Sequence, residues 1–193
     1  FERAHYFNIE RLGDRLFGEA YVPGTYQGRG AYLWGTACCL RADDGRIIGA
    51  IESIRDMTAH KQAISALETN AQRLESIIET VEDGITLSDE SGYFEIFNSK
   101  MQEITGYSKE EANASADFLA LLYPDASAHH QALFGIHELQ RMSGTRDIET
   151  TICAKDGTRK TLLASTSLIR YQGKKWFLSA YRDVTQRRLA ETE

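Results

Sequence analysis

Apolar and polar residues alternate in two blocks of this chain, and a stretch with helical spacing separates them. That stretch, Thr58 to Asp83, contains no Gly and no Pro. Its apolar residues are Ile64, Leu67, Ala71, Leu74, Ile78 and Val81, the a/d rhythm of a coiled-coil seam. Lys61, Gln62, Glu68, Gln72, Arg73, Glu75 and Glu79 occupy the other faces and suit water. An amphipathic linker packing on its own domain would show the same pattern.

Before this helix, residues 1–13 read as a short helix with Phe7, Ile9 and Leu12 on its apolar side and Gly13 as its stop. Strands follow at Arg15–Val22, Ala31–Leu40 and Arg46–Ile54. The first two are joined by the Gly-rich run Pro23–Gly30, the last two by the hairpin signal Asp43-Asp44-Gly45. Three strands scarcely bury a core by themselves. The first domain therefore reads as truncated at its N-terminus, or as completed by something outside this sequence.

After the helix the pattern is fuller. Gly84–Asp89 and Tyr93–Phe97 read as strands joined by a turn at Glu90-Ser91-Gly92. Asn98 is a suitable N-cap for a helix over Ser99–Thr105, and Gly106 can stop that helix in the left-handed conformation. Ser108-Lys109-Glu110-Glu111 is a capping-box pattern. Asp117–Tyr123 reads as another helical turn or two, closed by Pro124. Ala126–Met142 is the longest helix of this block, with Leu133, Ile136, Leu139 and Met142 along one side. Strands return at Arg146–Ala154, Arg159–Ile169 and Lys175–Arg182, with turns at Asp156-Gly157 and Gln172-Gly173. Two strands, several short helices and a three-stranded meander predict an α+β domain: a five-stranded antiparallel sheet with its helices on one face.

The totals narrow the function. A net charge of −6 over 193 residues, with no long block of Lys and Arg, argues against nucleic acid as a partner. No apolar run reaches the length of a membrane span, and no signal peptide is recognisable. Three cysteines without framework spacing, Cys38, Cys39 and Cys153, suggest free thiols in a reducing compartment, hence a cytoplasmic protein.

One phrase occurs twice. Ser53-Ile54-Arg55-Asp56-Met57-Thr58 precedes the long helix, and Ala180-Tyr181-Arg182-Asp183-Val184-Thr185 precedes the charged C-terminal run. In each, a hairpin with Gly at its tip leads into an apolar strand, then Arg-Asp-x-Thr, then a helix start. Asp and Thr at a strand-to-helix junction can cap the new helix, and the adjacent Arg can hold the junction by an ion pair. A simple helix cap would use the same residues.

This phrase resembles the Asp-x-Thr motif that closes PAS sensor domains and joins them to signalling helices. Glu95-Ile96-Phe97-Asn98 followed by Thr105-Gly106-Tyr107-Ser108-Lys109-Glu110-Glu111 resembles the "N…tGYs.eE" passage of that family. Leu122-Tyr123-Pro124-Asp125 resembles its "hPdD", with Ala126 in place of the final Asp, and Lys155-Asp156-Gly157 resembles its "kDG" hairpin. The resemblance covers about residues 72–186 as one whole domain and about 15–58 as the last three strands of another. It divides the chain into the C-terminal part of a first PAS domain (1–58), a linker helix (59–82), a complete second PAS domain (83–186) and the start of an output helix (187–193).

The resemblance implies a sensory and dimerising module of a prokaryotic two-component protein, a multi-sensor histidine kinase being the commonest setting. Such a module senses a small ligand or redox state. The implied relay residues are Arg55, Asp56, Thr58, Arg182, Asp183 and Thr185. The expected partners are a second copy, a C-terminal kinase or other output domain, and a small-molecule ligand. Nothing in the chain supplies a nucleophile elbow, a P-loop, a dinucleotide fingerprint or a phosphoacceptor His-Glu phrase, so a kinase would lie beyond Glu193.

The cofactor is open. Haem-binding sensors of the family ligate iron through a histidine on the helix corresponding to Ala126–Met142. This makes His130 the haem candidate, with His129 beside it and His137 weaker; two exposed polar residues in a first helical turn would look alike. The flavin phrase of blue-light sensors is absent, because no cysteine follows Asn98 in the helices. Adjacent Cys38 and Cys39 point to opposite faces of a strand and do not readily share a metal. Trp34 and Trp176 read as sheet-face or dimer-seam residues. Two rivals stand beside the ligand sensor: a ligand-free dimerisation scaffold, whose pocket would be filled by Phe, Leu and Ile, and a haem gas or redox sensor.

Overall fold

The computed structural model describes residues 5–141, 144–171 and 173–192, excluding the side chains of His5, Tyr6, Ile136, His137, Leu139, Gln140, Arg141 and Thr192. Of the sequence expectations, those on residues 1–4, His137, Gln172 and the Ile136, Leu139 and Met142 side of the long helix lie outside these residues. The chain divides into two units, Phe1–Arg73 and Leu74–Glu193.

The first unit is an antiparallel sheet in the order β1-β2-β3-β4, made of β1 (His5–Leu12), β2 (Arg15–Val22), β3 (Ala31–Arg41) and β4 (Ile47–Asp56). The helix expected near the N-terminus is instead strand β1. Leu12 pairs with Arg15 across a two-residue Gly13-Asp14 loop, in which Gly13 has φ +62°. The alternation that would have shown a strand is broken by a bulge between Phe7 and Glu10, where Asn8 has φ +52°. Phe17, Tyr21, Tyr32 and Trp34 share one face, with the Phe17 and Trp34 rings 6.0 Å apart and the Tyr21 and Tyr32 rings 4.8 Å apart.

Helix α1 (Thr58–Thr80) starts in the first unit and ends in the second, and none of its residues is buried. The sheet of the second unit has the order β6-β5-β9-β8-β7. Its strands are β5 (Gly84–Asp89), β6 (Phe94–Phe97), β7 (Gly144–Cys153), β8 (Arg159–Tyr171) and β9 (Lys174–Asp183). Between β6 and β7 run α2 (Ser99–Thr105), α3 (Lys109–Ala114), α4 (Phe118–Leu122) and α5 (Ala126–Arg141), and α6 (Thr185–Thr192) follows β9.

Local chemistry sets the short helices. Asn98 Oδ1 accepts from Met101 N at 3.0 Å and caps α2, and Gly106 ends it at φ +76°. Ser108 and Glu111 exchange two hydrogen bonds in a capping box on α3. Asp117 caps α4 through Ala120 N. The helices then close over the inner sheet face. Phe97, Met101, Ile104, Phe118, Leu122, Ile152 and Leu162 form the core, and Phe94, Phe97, Tyr107 and Phe118 meet edge to face at 5.2–6.0 Å between ring centroids.

Candidate functional site

Between these helices and the inner sheet face lies a cavity of about 610 Å³. Phe94 and Phe118 form part of its wall, with Met101, Leu122, Ile152, Leu162 and Phe177. Its floor is polar. Thr86 of β5, Thr166 of β8, and Ser179 and Tyr181 of β9 bring four hydroxyls together from three adjacent strands. Thr166 Oγ1 and Ser179 Oγ lie 2.9 Å apart, and Tyr181 follows Ser179 on the same face of β9. Burial pushes the Tyr181 phenol above its ordinary pKa, against the opposing pull of the Ser179 and Thr86 side chains. Tyr123, also raised by burial, bonds Thr150 at 2.8 Å.

The cavity lining contains no histidine among the described residues. His130 is exposed and outside the lining, and half-buried His129 has its Nε2 3.2 Å from Asp117 Oδ2. These two side chains do not fit a haem held by an imidazole in the cavity. The three cysteines are free thiols, and among the described residues no cluster of three or more His, Cys, Asp and Glu could hold a metal. Trp34 and Trp176 both lie in strands, Trp34 on the aromatic face of the first sheet and Trp176 opposite Asp89 and Ile169 in the second.

The two Arg-Asp-x-Thr phrases fold into the same hydrogen-bonded latch. At the second, Asp183 Oδ1 accepts from Thr185 N at 2.9 Å and from Thr185 Oγ1 at 2.5 Å. Thr185 Oγ1 accepts from Thr161 N at 2.9 Å, and Val184 N donates to Thr161 O at 2.9 Å. At the first, Asp56 Oδ1 accepts from Thr58 N at 2.8 Å, Thr58 Oγ1 from Tyr32 N at 2.9 Å, and Tyr32 O from Met57 N at 2.8 Å. In both, the Thr is tied to the neighbouring strand and the Asp to the Thr. Hydrogen bonds from Thr58 and from Tyr26 hold the Asp56 carboxyl below its ordinary pKa. The arginines differ. Arg182 pairs with Asp83 through two bonds of 3.0 and 2.9 Å, and Arg55 lies on β4 opposite Trp34.

A second junction joins the last turn of α1 to this domain. Asn98 is fully buried, and besides capping α2 it accepts from Ile85 N at 2.8 Å. Its Nδ2 donates to Ile78 O at 2.9 Å and Asp83 O at 3.1 Å. Beside it, Ser99 N donates to Glu79 Oε2 at 2.9 Å. One amide thus ties the last turn of α1, the start of β5 and the helix α2 of the cavity wall. The Asn cap was legible; its partners 13–20 residues away were not.

A sheet with helices enclosing a cavity over its inner face, and a latch leading into a helix, is the architecture of a sensory α+β domain. A family model described as the PAS fold matches residues 72–184, and the chain belongs to the PAS family. It is 30% identical over 135 residues to a methyl sulfide methyltransferase-associated sensor of Methanosarcina acetivorans, covering 68% of this chain and 13% of that protein. It is 25% identical over 188 residues to the sensor protein FixL of Bradyrhizobium diazoefficiens, covering 92% of this chain and 36% of that protein. The chain therefore spans about an eighth and about a third of the length of these relatives. Among solved structures, a PAS domain from a two-component sensor histidine kinase matches with a TM-score of 0.51 at 14% identity, over 60% of this chain and 97% of that one. The PAS domain of an HTR-like protein from Haloarcula marismortui matches with a TM-score of 0.52 at 21% identity, over 64% and 98%. At these identities the structures show the fold. The described residues include no helix long and apolar enough to cross a membrane.

Proposed function

We propose that this chain is the sensory and dimerising part of a two-component signalling protein, with a small-molecule sensor in its second PAS domain. The observation that carries the reading is the 610 Å³ cavity with hydroxyls on its floor. Its size falls in the range of small-molecule sites, and a few polar groups in an apolar wall are what such sites use for orientation. The sensor names of the two curated relatives support the setting, and the free thiols suit the cytoplasm. In this reading residues 1–58 close a first PAS unit, 59–82 are linker, and a kinase or other output domain follows α6.

The relay runs through the latches. Ser179 and Tyr181 of the cavity floor lie on the strand that ends in Asp183, so a shift of β9 reaches α6 through Thr185. A ligand drives such a shift only by binding the two arrangements unequally. The test is a fusion of this chain to a histidine-kinase core. Filling the cavity by Leu133→Trp should change autophosphorylation by about fivefold or more, in the usual range of coupling energies. Adding Asp183→Ala should abolish that change and leave the circular dichroism spectrum intact. An undiminished response in the double variant contradicts the relay.

The dimer forms along α1 as a parallel pair. Ile64, Ala71 and Ile78 at a, with Leu67 and Leu74 at d, follow the two-stranded preference, and Val81 continues the rhythm just past the helix. The charges at the flanks choose the direction. Glu68 and Glu75 fall at e, and Ala63, Asn70 and Ile77 at g. A parallel pair sets e against g, with no like charges opposed. An antiparallel pair sets glutamate against glutamate.

A further inference from the structure

The geometry points to an uncharged aromatic compound bearing a hydroxyl or carbonyl group as the ligand class of the second-domain cavity. The inference rests on the reading of that cavity as a ligand site, and it is carried by what lines it. No Lys or Arg is among the lining residues described, while Asp89, Glu90 and Asp117 contribute carboxylates. Each carboxylate already has a partner: Ser91 for Asp89, Lys175 for Glu90 and the Ala120 N–H for Asp117. Lys175 is thus occupied by a glutamate, and Lys174 acts on Asp89, so each lysine beside the rim already faces a carboxylate. A carboxylate or phosphate entering the cavity would lose its water and find no free cation among the described lining residues, which disfavours it.

The floor and wall favour a ring that carries one polar group. Thr86, Thr166 and Ser179 are 2%, 8% and 4% exposed, so water does not satisfy their hydroxyls from outside. A hydroxyl both donates and accepts, so the band with Tyr181 can rotate to meet either a ligand hydroxyl or a carbonyl. Such a partner offsets the loss of its own hydration, whereas a wholly apolar ligand would leave the band facing carbon. Above the floor, Phe94 and Phe118 meet edge to face at 5.7 Å and line the cavity, an arrangement that accepts another ring in the same manner. The volume exceeds that of a single ring, so fused bicyclic compounds are suitable probes.

The experiment compares 2-naphthol with 2-naphthoate by calorimetry at pH 7 on the whole chain, beside a native mass spectrum of the protein as purified from cells. We expect 2-naphthol to bind at least about tenfold more tightly than 2-naphthoate. Ser179→Ala should weaken 2-naphthol about fivefold, the effect of one lost hydrogen bond, without changing the thermal midpoint by more than a few degrees. Naphthoate binding as tightly as naphthol overturns the ligand class and leaves the ligand-site reading standing. An unchanged naphthol affinity in Ser179→Ala overturns the role of the floor. Failure of both probes overturns the class: a bound mass in the native spectrum then keeps the ligand-site reading, and a clean one removes it.

Discussion

Replacing Asn98 with Ala is expected to destabilise the second domain by about 3 kcal/mol, lowering its melting midpoint by about 10 °C. The side chain is fully buried and uses both its oxygen and its nitrogen. Loss of the cap alone costs about 1 kcal/mol. The rest comes from Ile85 N and from the carbonyls of Ile78 and Asp83, each left with one bond fewer at a buried junction. Asn98→Asp keeps the two accepted bonds and loses the two donated ones. It should therefore also be destabilised, and its α2 should stay capped while amide exchange rises in the last turn of α1. Thermal unfolding with hydrogen exchange checks both variants. A midpoint within 2–3 °C of the parent for Asn98→Ala would mean that water replaces the side chain and that the junction is not a latch.

The second large effect is expected at the α1 seam. Leu67 and Leu74 are 70% and 62% exposed in the single chain, at successive d positions. Replacing both with Asp would place four carboxylates in the seam of a parallel pair. The dissociation constant should rise at least about a hundredfold, measured by sedimentation equilibrium. The second domain should keep its fold, since neither leucine belongs to its core. An unchanged dissociation constant would move the dimer contact away from α1, and the exposed aromatic face of the first sheet would be the next surface to vary.

What could be read from the chain was local chemistry. Asn98, Gly106, and the Ser108 and Glu111 box each act within four residues of themselves, so their residue types predict helix ends directly. The repeated Arg-Asp-x-Thr phrase was legible for the same reason, since each Asp bonds the Thr two residues on. Strand β1 was not, because the bulge at Asn8 breaks the period-two pattern and leaves Phe7 and Ile9 compatible with a helix. The partner of Arg182 was not either: it is Asp83, 99 residues away. The cavity floor was the least visible part. Thr86, Thr166, Ser179 and Tyr181 are ordinary strand residues until the order β5-β9-β8 puts them side by side. Side chains brought together by sheet order leave no spacing signal.

The central claim is that the second domain holds a small molecule, and a native mass spectrum of protein purified without added ligand tests it most directly. The account predicts a folded species carrying a discrete extra mass, released on unfolding and missing from the Leu133→Trp variant. A clean apo mass for the parent chain, with the same melting midpoint as the filled variant, would contradict it.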